Sequence, residues 1–435
     1  MLTRLHIMNE HKKLQLSNGL RVLLVPCEGT AAVTMLALFE VGSRYEGLKL
    51  NGASHYIEHM MFKGTERRPH TMIISRDLDS VGADYNAFTG KDHTGYYIKL
   101  QAGKFELAAD MLEDMVYHSL YRQADLDSER NVIAEEIRMY EDNPMMLVEE
   151  LLEEELYRGS SLGRPISGTV KTMAGIGRGD LVGYRDGYYV PSRTVLAVAG
   201  NFNEAEVMAS LEAKFGQRRA AKEPRKFVRF DPAKTGQTKP RIHVRRKETE
   251  QVQLAIGFPA YPYGDARMPA LNLLSIILGG TMSSRLFIEV REKRGYAYFV
   301  RAGVNPYQDV GNLTIQAGLS REHVHDATKV ILKEVDRIRT KDVTAEELER
   351  AKENLKGRLT LSLEDSSHLA DWYGKQELMM RKTETPAEKL AKIYAVDREA
   401  VRRAAVDVFK NKRMAMAVIG PYEDNRPFLR HGQVL

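Results

Sequence analysis

The feature that most constrains this chain is that it repeats itself. Residues 176–202 align without gaps on residues 396–422, at a constant offset of 220 (398 less 178). Arg178 falls on Arg398, Tyr189 on Phe409, Arg193 on Arg413 and Gly200 on Gly420. Each copy reads as an amphipathic helical stretch, a turn and an apolar strand ending in glycine. The strands are Thr194-Val-Leu-Ala-Val-Ala-Gly200 and Met414-Ala-Met-Ala-Val-Ile-Gly420. Apolar strands match by chance; shared arginines and glycines at one offset favour duplication. A period of this length is too long for a solenoid, whose units run about 20 to 50 residues. It describes two similar domains, expected at 1–216 and 241–435. The segment between, 217–240, is basic, contains Pro and Gly, and reads as a linker.

Within each half, strands precede helices. Residues 20–25 and 33–39 are apolar runs of buried-strand type, and 94–100 alternates as a sheet strand does. Residues 105–121 read as a helix with Leu107, Met111, Leu112 and Met115 on its apolar face. In the second half, 251–258 and 313–317 read as strands. A helix starts at Thr344, with Glu347 completing a capping box. Early strands, long helices and a returning strand predict an α+β fold.

Composition closes off several classes. Hydrophobic residues make up 43% and charged residues 28%, the balance of a soluble globular protein. No apolar run is long enough for a membrane span. A net charge of +5 is too mild to call for nucleic acid or an anionic membrane. One cysteine, Cys27, excludes an internal disulfide and a cysteine-based zinc site. Residues 1–18 carry Arg4, Glu10, His11, Lys12 and Lys13, with no apolar core or small-residue cleavage site. The expected location is therefore the cytoplasm.

The sharpest chemical signal is His55-Tyr-Ile-Glu58-His59. On a helix, positions i and i+4 share a face, so His55 and His59 offer two imidazoles to one metal. Neutral imidazole suits zinc. Glu58 is placed to take a proton from a metal-bound water, whose pKa falls to about 7. H-x-x-E-H is the inverzincin signature. At this composition it arises by chance roughly 0.05 times per chain or less. The bland alternative is a solvent-facing His–Glu pair, but Met60, Met61 and Phe62 follow at once, so the helix is apolar over much of its surface. A catalytic zinc needs a third protein ligand. The stretch from Glu129 to Glu141 reads as a helix with an apolar stripe of Val132, Ile133, Ile137 and Tyr140. Spacing alone leaves Glu135 and Glu136 both open as the ligand. Glu129, seven residues before Glu136, lies on the same face and can support the metal-binding histidines.

These motifs, taken in order, resemble the pitrilysin-like inverzincin metallopeptidases, in particular the short-subunit branch of mitochondrial processing peptidase and its bacterial relatives. The resemblance runs from Leu16-Ser-Asn-Gly-Leu-Arg-Val22 through Gly52-Ala-Ser-His-Tyr-Ile-Glu-His-Met-Met-Phe-Lys-Gly-Thr65. It continues through Asn86-Ala-Phe-Thr89, the Glu129–Glu136 helix, Gly163-Arg-Pro165 and Ser283-Ser-Arg-Leu-Phe287. It implies two homologous domains, each a mostly antiparallel sheet packed with helices. It implies His55, His59 and Glu136 as ligands of one Zn2+ per chain, Glu136 standing 77 positions after His59 (136 less 59). Glu58 matches the general base and Glu129 the acid that supports the site. Asn86 and Ala87 match an edge strand that pairs with substrate backbone. Arg291-Glu-Lys-Arg-Gly-Tyr-Ala-Tyr298 resembles an Arg-x6-Tyr element from the second domain. Arg291 would hold a substrate carbonyl or carboxylate, and Tyr298 would donate to the oxyanion. The implied activity is a zinc-dependent endopeptidase acting on peptides or unstructured segments in an enclosed chamber. Partners would be peptide substrates and a second subunit, in a homodimer or a heterodimer. The rivals are a non-catalytic structural or partner subunit of the same fold and a different metal-dependent hydrolase.

Overall fold

The computed structural model describes residues 11–218 and 227–433. Residues 1–10, part of the N-terminal stretch 1–18, and 219–226 of the expected linker lie outside the described residues.

Two sheets carry the fold. The first holds β1 (Lys12–Gln15), β2 (Arg21–Pro26), β3 (Ala32–Phe39), β4 (Asp84–Thr89), β5 (Thr94–Gln101) and β6 (Thr194–Gly200), in the order β1-β2-β6-β3-β5-β4. The second holds β7 (Arg241–Arg246), β8 (Gln251–Ala260), β9 (Ala297–Pro306), β10 (Gly311–Ser320) and β11 (Ala415–Gly420), in the order β7-β11-β8-β10-β9. One pairing in each sheet is parallel, β2 with β6 and β7 with β11, and the rest are antiparallel. The duplication extends to register. Arg21 pairs with Val195 in the first sheet, and Arg241 with Ala415 in the second, each pair 220 residues from its counterpart (241 less 21, 415 less 195). Helices Arg178–Tyr188 and Arg398–Val408 stand at the same offset. The architecture is thus α+β and duplicated.

The central strands read as continuous apolar runs because both of their faces are buried. In β2, Val22 and Leu24 face one core and Leu23 and Val25 the other. In β3, Met35, Ala37 and Phe39 face the first core and Leu36 and Leu38 the second. Five helices are needed below: α1 (Ala53–Met60), α2 (Thr71–Asp79), α3 (Phe105–His118), α4 (Gln123–Asp142) and α5 (Pro144–Leu156). Residues of α1, α2, α3 and α4 contribute to the first core. The expected helix from 105 stops at His118, and Tyr121 takes a left-handed φ of 48°.

The compact units are discontinuous in sequence, so contiguous ranges of 1–216 and 241–435 do not describe them. One unit comprises 1–137, 165–228 and 359–387; the other comprises 138–164, 229–358 and 388–435. The reason is the second face of each sheet. Helix Ser366–Met380, from the second half of the chain, covers Leu23, Leu36, Leu38, Val195 and Ala197 of the first sheet with Leu369, Ala370 and Tyr373. Reciprocally, α5 covers Ala255, Ala415, Ala417 and Ile419 of the second sheet with Leu147, Leu151 and Leu152. No described helix is long and apolar enough to cross a membrane.

Candidate metal centre

Helix α1 carries the histidines because its other face is apolar: Ala53, Tyr56, Ile57 and Met60 are buried in the first core. That leaves His55, Glu58 and His59 on the remaining face. Beside it runs α4, whose buried residues are Leu126, Glu129, Ile133 and Ile137. The expected stripe is corrected here: Val132 is 48% exposed, because it sits a helical step away from Ile133. The spacing of Glu129 and Glu136 then places both carboxylates toward α1.

Among the described residues, one group of His, Cys, Asp and Glu side chains converges as a metal site would, and it is His55, His59 and Glu136. One donor atom from each lies within 4.8 Å of the others. Glu136 Oε2 is 3.4 Å from His59 Nε2 and 3.6 Å from His55 Nε2. Tetrahedral ligands about 2.1 Å from an ion lie about 3.4 Å from one another, so the donors fit a zinc-sized cation. Their orientation agrees: His59 Nδ1 is tied to Glu129 Oε2 at 2.9 Å, leaving Nε2 for the metal. Lys63, one turn beyond His59, pairs with the other oxygen of Glu129. Glu135 has no place in the cluster.

Charge in this pocket is skewed toward carboxylates. Burial opposes protonation of His59, but Glu129 and Glu136 outweigh it and raise its pKa to about 9. Burial, helped by the charge on His59, lowers His55 to about 4 despite Glu136. Burial opposes ionisation of Glu129 too, yet His59 and Lys63 hold it below the usual carboxylate range. Glu58 goes the other way: burial raises it, against the hydrogen bond from Thr89 and the charge of His59. An acid raised by burial is suited to proton transfer near neutrality.

Thr89 Oγ1 donates to Glu58 Oε2 at 2.5 Å. It is the last residue of β4, the outermost strand of the first sheet, so the same strand that steadies Glu58 presents a free edge. On that strand Asn86 Oδ1 accepts the Ala87 N–H at 2.9 Å. Arg291 and Tyr298 lie in the other compact unit. The Arg291 guanidinium stands 4.8 Å from the Phe287 ring centre and 5.8 Å from that of Tyr298. Tyr298 is 72% exposed on β9, where register slips between Gly318 and Leu319: Phe299 and Ala297 have partners and Tyr298 does not. A bulge of this kind re-aims a side chain. Sequence reasoning missed Lys63, although its position one turn from His59 was a usable signal. It also missed Thr89 as a partner of Glu58, which depends on the β4–α1 packing.

Two family models match the chain: "Insulinase (Peptidase family M16)" over residues 21–170 and "Peptidase M16 inactive domain" over 175–355. An uncharacterized zinc protease of Bacillus subtilis, YmxG, is 37% identical over 94% of this chain and 98% of its own. Another, from Streptomyces coelicolor, is 36% identical over 97% of this chain and 92% of its own. A protease from Helicobacter pylori has the same fold, with a TM-score of 0.90 at 22% identity, covering 95% of this chain and all of that one. The chain belongs to the pitrilysin-like M16 peptidase family.

Proposed function

We propose that this protein is a zinc-dependent endopeptidase of the H-x-x-E-H type that cleaves peptides or unstructured protein segments. His55, His59 and Glu136 hold one Zn2+. The observation that carries the reading is the convergence of these three donors beside a half-buried Glu58 that is hydrogen-bonded to the edge strand β4. The relatives' zinc-protease names support it.

Bound zinc would act as a Lewis acid on the scissile carbonyl and lower the pKa of water. The chain's residues do the rest. An extended peptide adds to the β4 edge by main-chain hydrogen bonds at Asn86 and Ala87, which displaces Asn86 Oδ1 from the Ala87 N–H. Glu58 takes the proton of the attacking water and passes it to the leaving amine. Glu129 keeps His59 in the ligating tautomer. Arg291 binds a carbonyl or carboxylate of the substrate, and Tyr298 donates to the developing oxyanion. The working form is a dimer, with itself or with a related subunit, that encloses unfolded chain.

Bound metal and cleavage of a mixed set of unstructured peptides test this directly. Glu58→Gln should keep its zinc and lose about 10²- to 10⁴-fold in turnover. A wild type that binds zinc and cuts nothing would point to the non-catalytic subunit; one that binds no zinc would sink the metal site. Activity eluting at about twice 49.3 kDa would mark a homodimer.

A further inference from the structure

Helix α1 begins at Gly52, which has no side chain with which to cap it. The first turn of a helix leaves backbone N–H groups without partners, and here they are buried. The partner arrives from outside the helix. Glu46, only 2% exposed, accepts the Gly52 N–H at 2.7 Å on Oε2 and the Ser54 N–H at 2.7 Å on Oε1. Asn51 Nδ2 adds a third bond to Oε2 at 3.1 Å and is itself tied to the Pro165 carbonyl at 3.0 Å. The fit leaves no slack. Gly52 has φ 101°, and a Cβ there would stand 2.6 Å from the Ser167 carbonyl oxygen.

Glu46 belongs to a short segment that grips the substrate edge as well. Ser43 N–H and Arg44 N–H donate to the Gly90 and Lys91 carbonyls at 3.1 Å each, and the buried Arg44 guanidinium pairs with Asp92 at 2.8 Å. Residues 90–92 form the turn between β4 and β5. The same few residues therefore hold the start of α1 and the hairpin that carries β4.

We propose that Glu46 is a positioning residue, whose buried carboxylate clamps the first turn of α1 and so aims His55 and His59 at Glu136. It touches neither metal nor substrate; it acts through Gly52 and Ser54, the latter adjacent to His55. This rests on the metal reading above.

The test is zinc affinity by competition with a fluorescent chelator, read beside the melting temperature of the chelated protein. Glu46→Gln keeps the shape of the side chain but turns an NH2 group toward one of the two backbone donors. The zinc Kd of the folded variant should rise about tenfold, the low end of what loss of a supporting group costs a metal site. A carboxylate with a purely structural role would lower the melting temperature and leave the Kd of the folded protein unchanged; that result overturns the proposal. Should Glu46→Gln not fold, Asn51→Ala removes one donor and keeps both backbone bonds. A Kd raised about two- to threefold then supports the clamp, and an unchanged one overturns it. Wild-type protein without zinc would overturn the metal reading and this inference with it.

Discussion

At the residue scale, the proposed metal site is a set of charges that only makes sense together. Glu129 is 3% exposed and its two oxygens are taken by His59 and Lys63, so the carboxylate serves to fix the imidazole. Glu129→Gln should weaken zinc about 10- to 100-fold by chelator competition, with secondary structure intact by circular dichroism. His93 makes a separate prediction about pH. Burial, with a smaller effect from Lys375, lowers its pKa to about 3 from an ordinary value of 6.5. The folded protein therefore binds fewer protons than the unfolded chain between those values. Stability is fully present above pH 6.5 and falls as the pH drops toward 3. Urea midpoints across that range should slope less steeply in His93→Gln than in the wild type; equal slopes would remove His93 as the cause.

Among the elements, local pattern was enough for strands and helices whose residues answer to their own sequence. The runs at 20–25 and 33–39, the Thr344 capping box, now seen as Glu347 Oε2 on the Thr344 N–H at 2.8 Å, and the repeat at offset 220 are all of that kind. The His55–His59 pair was legible because helical spacing alone puts both rings on one face, where their centres lie 4.7 Å apart in an edge-to-face arrangement. Choosing Glu136 over Glu135 needed the family pattern. Glu46 left no trace, since its bonds depend on a loop closing onto a helix. Nor does any periodicity tell a helix which sheet it will cover. Helix Ser366–Met380 docks through Glu377, fully buried and paired with Arg21 at 3.1 Å, and through Gly374, where a Cβ would stand 2.9 Å from Leu38. Glu377→Ala strands Arg21 in the interior and should cost about 3–5 kcal/mol. Gly374→Val should cost about 1–3 kcal/mol by overpacking. Chemical denaturation measures both, and a loss below about 0.5 kcal/mol for either would mean the helix is not held as described.

For the molecule as a whole, the exchange of helices decides what can be separated. All the proposed metal ligands, with Glu58 and Glu129, lie before residue 137, which would make the first half of the chain self-sufficient if ligands were all it needed. It is not, because the first sheet has two apolar faces and its own half covers only one. Residues 11–228 alone would leave Leu23, Val25, Leu36, Leu38, Val195, Ala197 and Ala199 open to water, a contiguous apolar surface of the sort that drives aggregation. Adding residues 359–387 restores the missing layer, together with the Thr34–Ser366 hydrogen bond at 2.8 Å and the Lys99–Asp365 pair at 2.6 Å. The expected result is therefore asymmetric. The 11–228 fragment should be insoluble or bind a hydrophobic dye without a cooperative melt, whereas 11–137 and 165–228, joined by a flexible linker in place of 138–164 and fused through another to 359–387, should melt cooperatively and bind zinc. If the bare fragment melts cooperatively and holds zinc as tightly as the whole chain, the exchanged helix is dispensable and the duplication behaves as two ordinary domains. If only the fusion does so, the repeat unit of this fold is not the repeat seen in its sequence.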